Sequence, residues 1–73
     1  MRIKYKLCKD TVIDEDGNAL NTYGIEIWKG EKIEKALVDI STNRVRVSLL
    51  INLCNELDLD PIHIYDVIED FFF

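Results

Sequence analysis

Residues 3–28, IKYKLCKDTVIDEDGNALNTYGIEIW, decide the fold, because two apolar alternations flank a strong turn signal. In the first alternation Ile3, Tyr5 and Leu7 are separated by lysines, as in a strand that buries one face. The second alternation follows the turn and ends at Trp28. This pattern predicts an antiparallel hairpin with one apolar face.

The turn DEDGN at residues 14–18 also predicts the strand register. A three-residue loop with Gly17 in the left-handed conformation is a common hairpin connection. That loop places Leu7 opposite Ile25, so the apolar faces of the two strands agree. A two-residue turn would place Leu7 opposite Glu26, and we therefore prefer the longer loop.

A second turn at Lys29-Gly30 predicts a third strand over residues 33–40. A four-residue loop would pair Ile25 with Ala36 and keep the inner face apolar. Gly24, inside the second strand, predicts a bulge or a close backbone approach. With this register the outer face of the sheet holds three apolar residues together: Trp28, Ile33 and Leu37.

The periodicity changes after the third strand and predicts a first helix. Ser41, Thr42 and Asn43 are three possible N-caps, and the sequence does not choose among them. The predicted buried stripe consists of Val47, Leu50, Ile51, Cys54 and Leu57, widened by Leu49 and Leu53.

A second helix is predicted from Asp60 as N-cap and Pro61 as the first helical residue. Leu59 and Ile64 are spaced for a hydrophobic staple. The predicted buried stripe of this helix consists of Ile64, Tyr65, Ile68, Phe71 and Phe72. The fold class is therefore α+β, with a three-stranded antiparallel meander and two helices on one face (β-β-β-α-α). Residues 1–73 form a single domain.

Composition excludes several classes of protein. At 73 residues and 48% hydrophobic residues, the chain is one small domain and not a disordered tail. The chain has nine lysines and arginines and fourteen acids, which gives a net charge of −5. All nine basic residues precede position 47, whereas residues 47–73 carry six of the acids. Nucleic-acid binding needs clustered basic residues and is not expected. The longest apolar run is too short for a membrane span, which predicts no membrane partner.

Cys8 and Cys54 are far apart and have no metal or redox spacing, which is typical of a reduced cytoplasmic protein. Their positions, on the outer sheet face and in the helix stripe, do not favour an internal disulfide. We expect no cofactor.

Three segments resemble a family of short bacterial proteins that is known only as a domain of unknown function. They are TYGIEI (residues 22–27), DIS (39–41) and LDPIHIYDVIEDF (59–71). The similarity runs nearly end to end. It implies a bacterial, cytoplasmic protein and assigns no catalytic residues.

His63, the only histidine, lies three residues before Asp66, so both share a helix face. The pair could bind a metal or act as a base with its orienting carboxylate. Two ligands fall short of a metal site, however, and Asp60 as a cap with Asp66 as a surface charge explains the same spacing.

Arg44 and Arg46 fall in the first turn of the first helix, where positive charge opposes the helix dipole. Together with free amides and the hydroxyls of Ser41 and Thr42 they could hold an anion. The alternative is that both arginines are solvated or pair with strand acids.

The outer sheet face is the preferred functional site. An apolar patch of Trp28, Ile33 and Leu37 bordered by Lys4 and Lys35 resembles the centre and rim of an interface. A different register would instead bury part of this patch. Phe73 falls out of phase with its helix, and it could dock on a neighbouring subunit or simply fray at the chain end.

These patterns predict a non-enzymatic interaction module that self-associates, as a homodimer, or binds an unidentified protein. The alternative is a small ligand- or metal-binding protein that uses His63 and Asp66.

Overall fold

The computed structural model describes residues 2–73 and confirms the α+β architecture. Its three strands form one antiparallel sheet in the order β1-β2-β3. The helices follow the sheet, and a short 3₁₀ helix leads into the second of them. The strands are β1 (Ile3–Ile13), β2 (Ala19–Lys29) and β3 (Lys32–Ser41), and the helices are α1 (Arg44–Glu56), the 3₁₀ helix (Pro61–His63) and α2 (Ile64–Phe72).

The β1–β2 hairpin has the predicted register, with Leu7 opposite Ile25. The backbone N–H of Asp14 donates to the carbonyl of Asn18 at 2.9 Å, which closes a three-residue loop. Gly17 has φ of +81°, the left-handed conformation that glycine adopts without steric cost. The Asp14 carboxylate also accepts hydrogen bonds from the backbone N–H groups of Asn18 and Asp16, at 2.8 and 3.0 Å. The turn chemistry therefore fixes the register.

The register predicted for β3 is correct near the turn and wrong farther along the strand. Trp28 lies opposite Ile33 as expected, but Ile27 lies opposite Lys35, so one extra residue of β3 forms a bulge between these pairs. Side chains alternate along a strand, and one extra residue moves all later side chains to the other face. Ile25 therefore pairs with Leu37 and not with Ala36. The bulge supplies the core with a leucine in place of an alanine.

Gly24 lies at a second irregularity, as predicted. Between the pairs Tyr23–Ser41 and Ile25–Leu37, β2 has one residue and β3 has three. A Cβ atom on Gly24 would lie 2.1 Å from the carbonyl oxygen of Leu37. Only glycine permits the two backbones to approach this closely.

Helix α1 begins at an N-cap supplied by Asn43, whose side chain accepts a hydrogen bond from the backbone N–H of Arg46 at 3.1 Å. Four members of the predicted stripe are buried and three are not. The prediction was wrong at the three positions that widen or extend the stripe, because these side chains point away from the sheet. The buried members are Val47, Leu50, Ile51 and Cys54, and the exposed ones are Leu49, Leu53 and Leu57.

Asp60 and Pro61 begin the second helical segment as predicted, and the Asp60 carboxylate accepts a bond from the N–H of Ile62. The first turn is 3₁₀, and the α-helix starts at Ile64, which is buried. Tyr65 was predicted to be buried but is 56% exposed. The partly buried members of the α2 stripe are Ile68, Phe71 and Phe72.

Tyr5 ties the sheet to the helical layer. Its backbone N–H donates to Oδ1 of Asn55 in α1, and Nδ2 of Asn55 donates to its carbonyl, both at 2.9 Å. Its hydroxyl donates to the carbonyl of Leu59 at 2.6 Å. The Asn55 amide thus occupies the edge of β1 as a neighbouring strand would. The molecule is 18 Å thick in its shortest dimension, so the core lies between one sheet and one helical layer.

Candidate interaction surfaces

On the outer sheet face, polar side chains contact Trp28. The Lys6 ammonium lies 4.1 Å from the centroid of the indole ring, a cation–π contact. The indole N–H donates to Oε1 of Glu26 at 3.1 Å. Lys4 lies opposite Trp28 on β1. With Lys6 over the ring and Glu26 bonded to the indole N–H, Trp28 is partly buried.

The apolar patch predicted around Trp28 is smaller than expected. Ile33 pairs with Trp28 and is 49% exposed, as predicted. Leu37 was expected on this face but lies against the core, opposite Ile25. Lys35 was expected at the border, but its ammonium lies 4.7 Å from the ring centroid of Tyr65 in α2, on the helical side. The β3 bulge causes both differences.

Helix α1 carries a second apolar surface, which was not predicted from the sequence. We define the outer row of α1 as Val45, Leu49, Leu53 and the C-cap residue Leu57, which are 70%, 56%, 41% and 66% exposed. The four residues are spaced by four and so follow one another along one side of the helix. The signal was present in the sequence, since a 13-residue helix with apolar residues around most of its circumference cannot bury all of them on one sheet.

The two arginines predicted to bind an anion have different environments. Nη2 of Arg46 donates to the carbonyl oxygen of Phe71 at 2.6 Å, and its guanidinium carbon lies 4.9 Å from the Phe71 ring centroid. Arg46 therefore caps the last turn of α2, where positive charge is favourable. Arg44 is exposed at the first residue of α1. Anion binding stays a prediction.

Phe73 is 91% exposed, in agreement with its predicted position out of phase. Its backbone N–H donates to the carbonyl of Glu69 at 2.9 Å. The Phe73 ring thus lies beyond the end of α2, two residues after the carbonyl that Arg46 contacts.

His63 and Asp66 are both exposed, in the 3₁₀ helix and in the first turn of α2. Among residues 2–73, no group of three or more His, Cys, Asp or Glu side chains is placed to hold a metal ion. A metal or ligand at this pair stays a prediction without a third partner in the described chain.

A cleft of about 620 Å³ lies where the start of β1 meets the end of α1. Charged groups of both signs line it, whereas ligand pockets are mainly lined by apolar and aromatic side chains. The lining residues are Arg2, Ile3, Lys4, Asn55 and Asp58.

Three buried or partly buried side chains have a raised pKa. Loss of hydration raises the pKa of Tyr5 to about 12, with a smaller effect of nearby acidic groups. Burial also raises the pKa of Cys8 and of Cys54, both of which are free thiols. Since the thiolate is the reactive form, neither cysteine is activated as a nucleophile.

The chain belongs to DUF6514, a family of unknown function, whose model matches residues 1–72. The family resemblance is thereby confirmed at the level of an uncharacterised family. No curated protein and no solved structure shows a significant match. Within residues 2–73, no helix has the length and apolar character needed to cross a membrane.

Proposed function

We propose that this protein is a small non-enzymatic interaction module that self-associates in the bacterial cytoplasm. The observation that carries the proposal is the distribution of large hydrophobic residues. Within residues 2–73, eight hydrophobic side chains form the buried core, whereas eleven large hydrophobic side chains are exposed. Single exposed hydrophobic residues are ordinary, but ordered rows of them mark interaction surfaces.

The size of the domain supports the same proposal. A single core in a chain of 73 residues supplies only about 3–5 kcal/mol of stability, and small domains commonly gain more from disulfides, metals or association. Both cysteines are free. Burial of exposed apolar surface against a second copy would supply the missing stabilisation, since burying such surface is favourable by about 25 cal/mol per Å².

The proposed compartment and the proposed bacterial origin each rest on one observation. The two free cysteines suit a reducing environment. The sequence segments that resemble short bacterial proteins supply the proposed origin.

Native mass spectrometry of the untagged protein from its source cell tests the proposal. We expect a species of twice 8.5 kDa whose share rises with protein concentration. A mass of one chain at every concentration up to 1 mM (about 10⁻³ M, the weak limit of specific affinity) would contradict self-association. Additional mass that disappears in His63→Ala would instead favour the ligand- or metal-binding alternative.

A further inference from the structure

We propose that the second copy binds the outer row of α1, so that two α1 helices pack antiparallel about a two-fold axis that crosses this row midway between Leu49 and Leu53. This inference rests on the proposed self-association and names the surface and the orientation. The occupant is a second copy because the surface is complementary to itself.

The complementarity follows from which residues share one side of α1. At 100° per residue, six residues fall within about 120° of the helix circumference. Four of them form the outer row and the other two carry opposite charges. The six are Val45, Arg46, Leu49, Leu53, Glu56 and Leu57.

An antiparallel arrangement centred on residue 51 pairs these six residues with suitable partners. Leu49 faces Leu53 of the second copy, and Val45 faces Leu57. Arg46 faces Glu56, so the charged pair lies beside the apolar pairs. A parallel arrangement would place Arg46 beside Arg46 of the second copy and Glu56 beside its Glu56. Like charges on adjacent helices are unfavourable. An isologous two-fold interface requires this reciprocal pattern.

The charge distribution of α1 supports the antiparallel arrangement independently of the outer row. Arg44 and Arg46 lie in the first turn, which has no acid, and Glu56 lies in the last turn, which has no basic residue. This order opposes the helix dipole within one chain. In an antiparallel pair, each basic end lies beside the acidic, carbonyl-rich end of the other helix.

The contact of Arg46 with α2 is compatible with this interface. Its Nη2 donates a hydrogen bond to the Phe71 carbonyl. Because the guanidinium has five N–H donors, it can also bind the Glu56 carboxylate of the second copy. Phe73 follows two residues later and is exposed, so it lies near this end of the interface.

The size of the surface predicts a weak dimer. A helix of 13 residues is about 20 Å long and 10 Å wide, which is smaller than the roughly 800 Å² that each partner buries in a standard interface. We therefore expect a dissociation constant in the micromolar range or weaker.

Sedimentation equilibrium of three proteins tests the surface. Leu49→Lys places a charge in the centre of the outer row and should weaken dimerisation by about tenfold or more. Ile33→Lys is the matched control, since Ile33 is similarly exposed (49% against 56%) but lies on the outer sheet face. It should leave the dissociation constant unchanged, and circular dichroism checks that both variants are folded.

The outcomes separate the two proposals. A wild-type protein that stays monomeric overturns self-association and this inference together. A wild-type dimer that persists in Leu49→Lys overturns only the surface named here, and loss of the dimer in Ile33→Lys would place the interface on the sheet.

Cysteine cross-linking tests the orientation. In a Cys8→Ser background, Leu49→Cys mixed with Leu53→Cys should form a mixed disulfide faster than either variant forms one alone, since these positions face each other. Cross-links that form fastest within each variant alone would indicate parallel helices and overturn the antiparallel arrangement.

Discussion

The two sides of helix α1 have the same chemistry and opposite environments. Leu50 is fully buried against the sheet, whereas its neighbour Leu49 is 56% exposed. Four apolar residues cover each side, and the chain itself covers only one of them. The difference shows that α1 packs on the sheet through one apolar side. The outer row stays exposed because a single sheet can cover only one side of a helix.

The largest effect is expected on the buried side of α1. Leu50→Ala should lower the free energy of unfolding by about 2–5 kcal/mol, because it removes buried methyl groups and leaves a cavity. That loss is close to the whole stability expected for a domain of this size. Urea denaturation followed by circular dichroism measures it. An unchanged unfolding midpoint would show that the sheet-facing side does not hold the core.

The two hydrogen bonds between Asn55 of α1 and Tyr5 at the sheet edge give a second prediction for this helix. Asn55→Ala removes both hydrogen bonds to the Tyr5 backbone and should cost about 1–2 kcal/mol of unfolding free energy. Asn52→Ala is the matched control, because Asn52 is exposed on the same helix and should change stability by less than about 0.5 kcal/mol. Equal effects of the two variants in urea denaturation would contradict the role of Asn55.

The Tyr5 hydroxyl predicts a dependence of stability on alkaline pH. Its pKa is raised to about 12 in the folded protein, from about 10 in the unfolded chain, because burial disfavours the charged phenolate. The contribution of Tyr5 is therefore complete below pH 10 and is lost as the pH rises from 10 to 12.

The Tyr5→Phe variant isolates this contribution from the other groups that titrate at alkaline pH. Its unfolding free energy should be lower by about 0.5–1.5 kcal/mol near neutral pH, since the bond to Leu59 is lost. The difference between wild type and variant should shrink above pH 10. A constant difference would show that Tyr5 ionises normally in the fold.

The smallest effect on monomer stability is expected on the exposed side of α1. Leu49→Ala, measured at a concentration where the protein is monomeric, should change the unfolding free energy by less than about 0.5 kcal/mol. A cost near that of Leu50→Ala would mean that the outer row is covered within the chain.

The parts of the fold governed by local chemistry could be predicted from sequence. Gly17 and the Asp14 carboxylate define one loop, so the register of β1 and β2 follows from the turn. Asp60 and Pro61 likewise define the start of the second helical segment. In each case a few adjacent residues satisfy their own backbone groups.

The parts governed by competition between distant residues could not be predicted. The first β3 bulge exchanges Ala36 for Leu37 in the core, and no local signal announces that exchange. The candidate patch around Trp28 was therefore predicted with one residue too many. The choice between Leu49 and Leu50 for the buried side of α1 likewise depends on where the sheet lies. The Asn55–Tyr5 bonds join residues 50 positions apart, which no sequence pattern indicates.

A dilution series of two-dimensional NMR spectra tests the central claim most directly, because the single tryptophan gives one indole N–H resonance that reports the outer sheet face. Between about 50 μM and 1 mM, which spans the expected weak affinity, the amides of the outer row of α1 should shift with concentration. The Trp28 indole resonance should stay in place. A shifting Trp28 resonance with unchanged α1 amides would contradict the account and place the interface on the sheet.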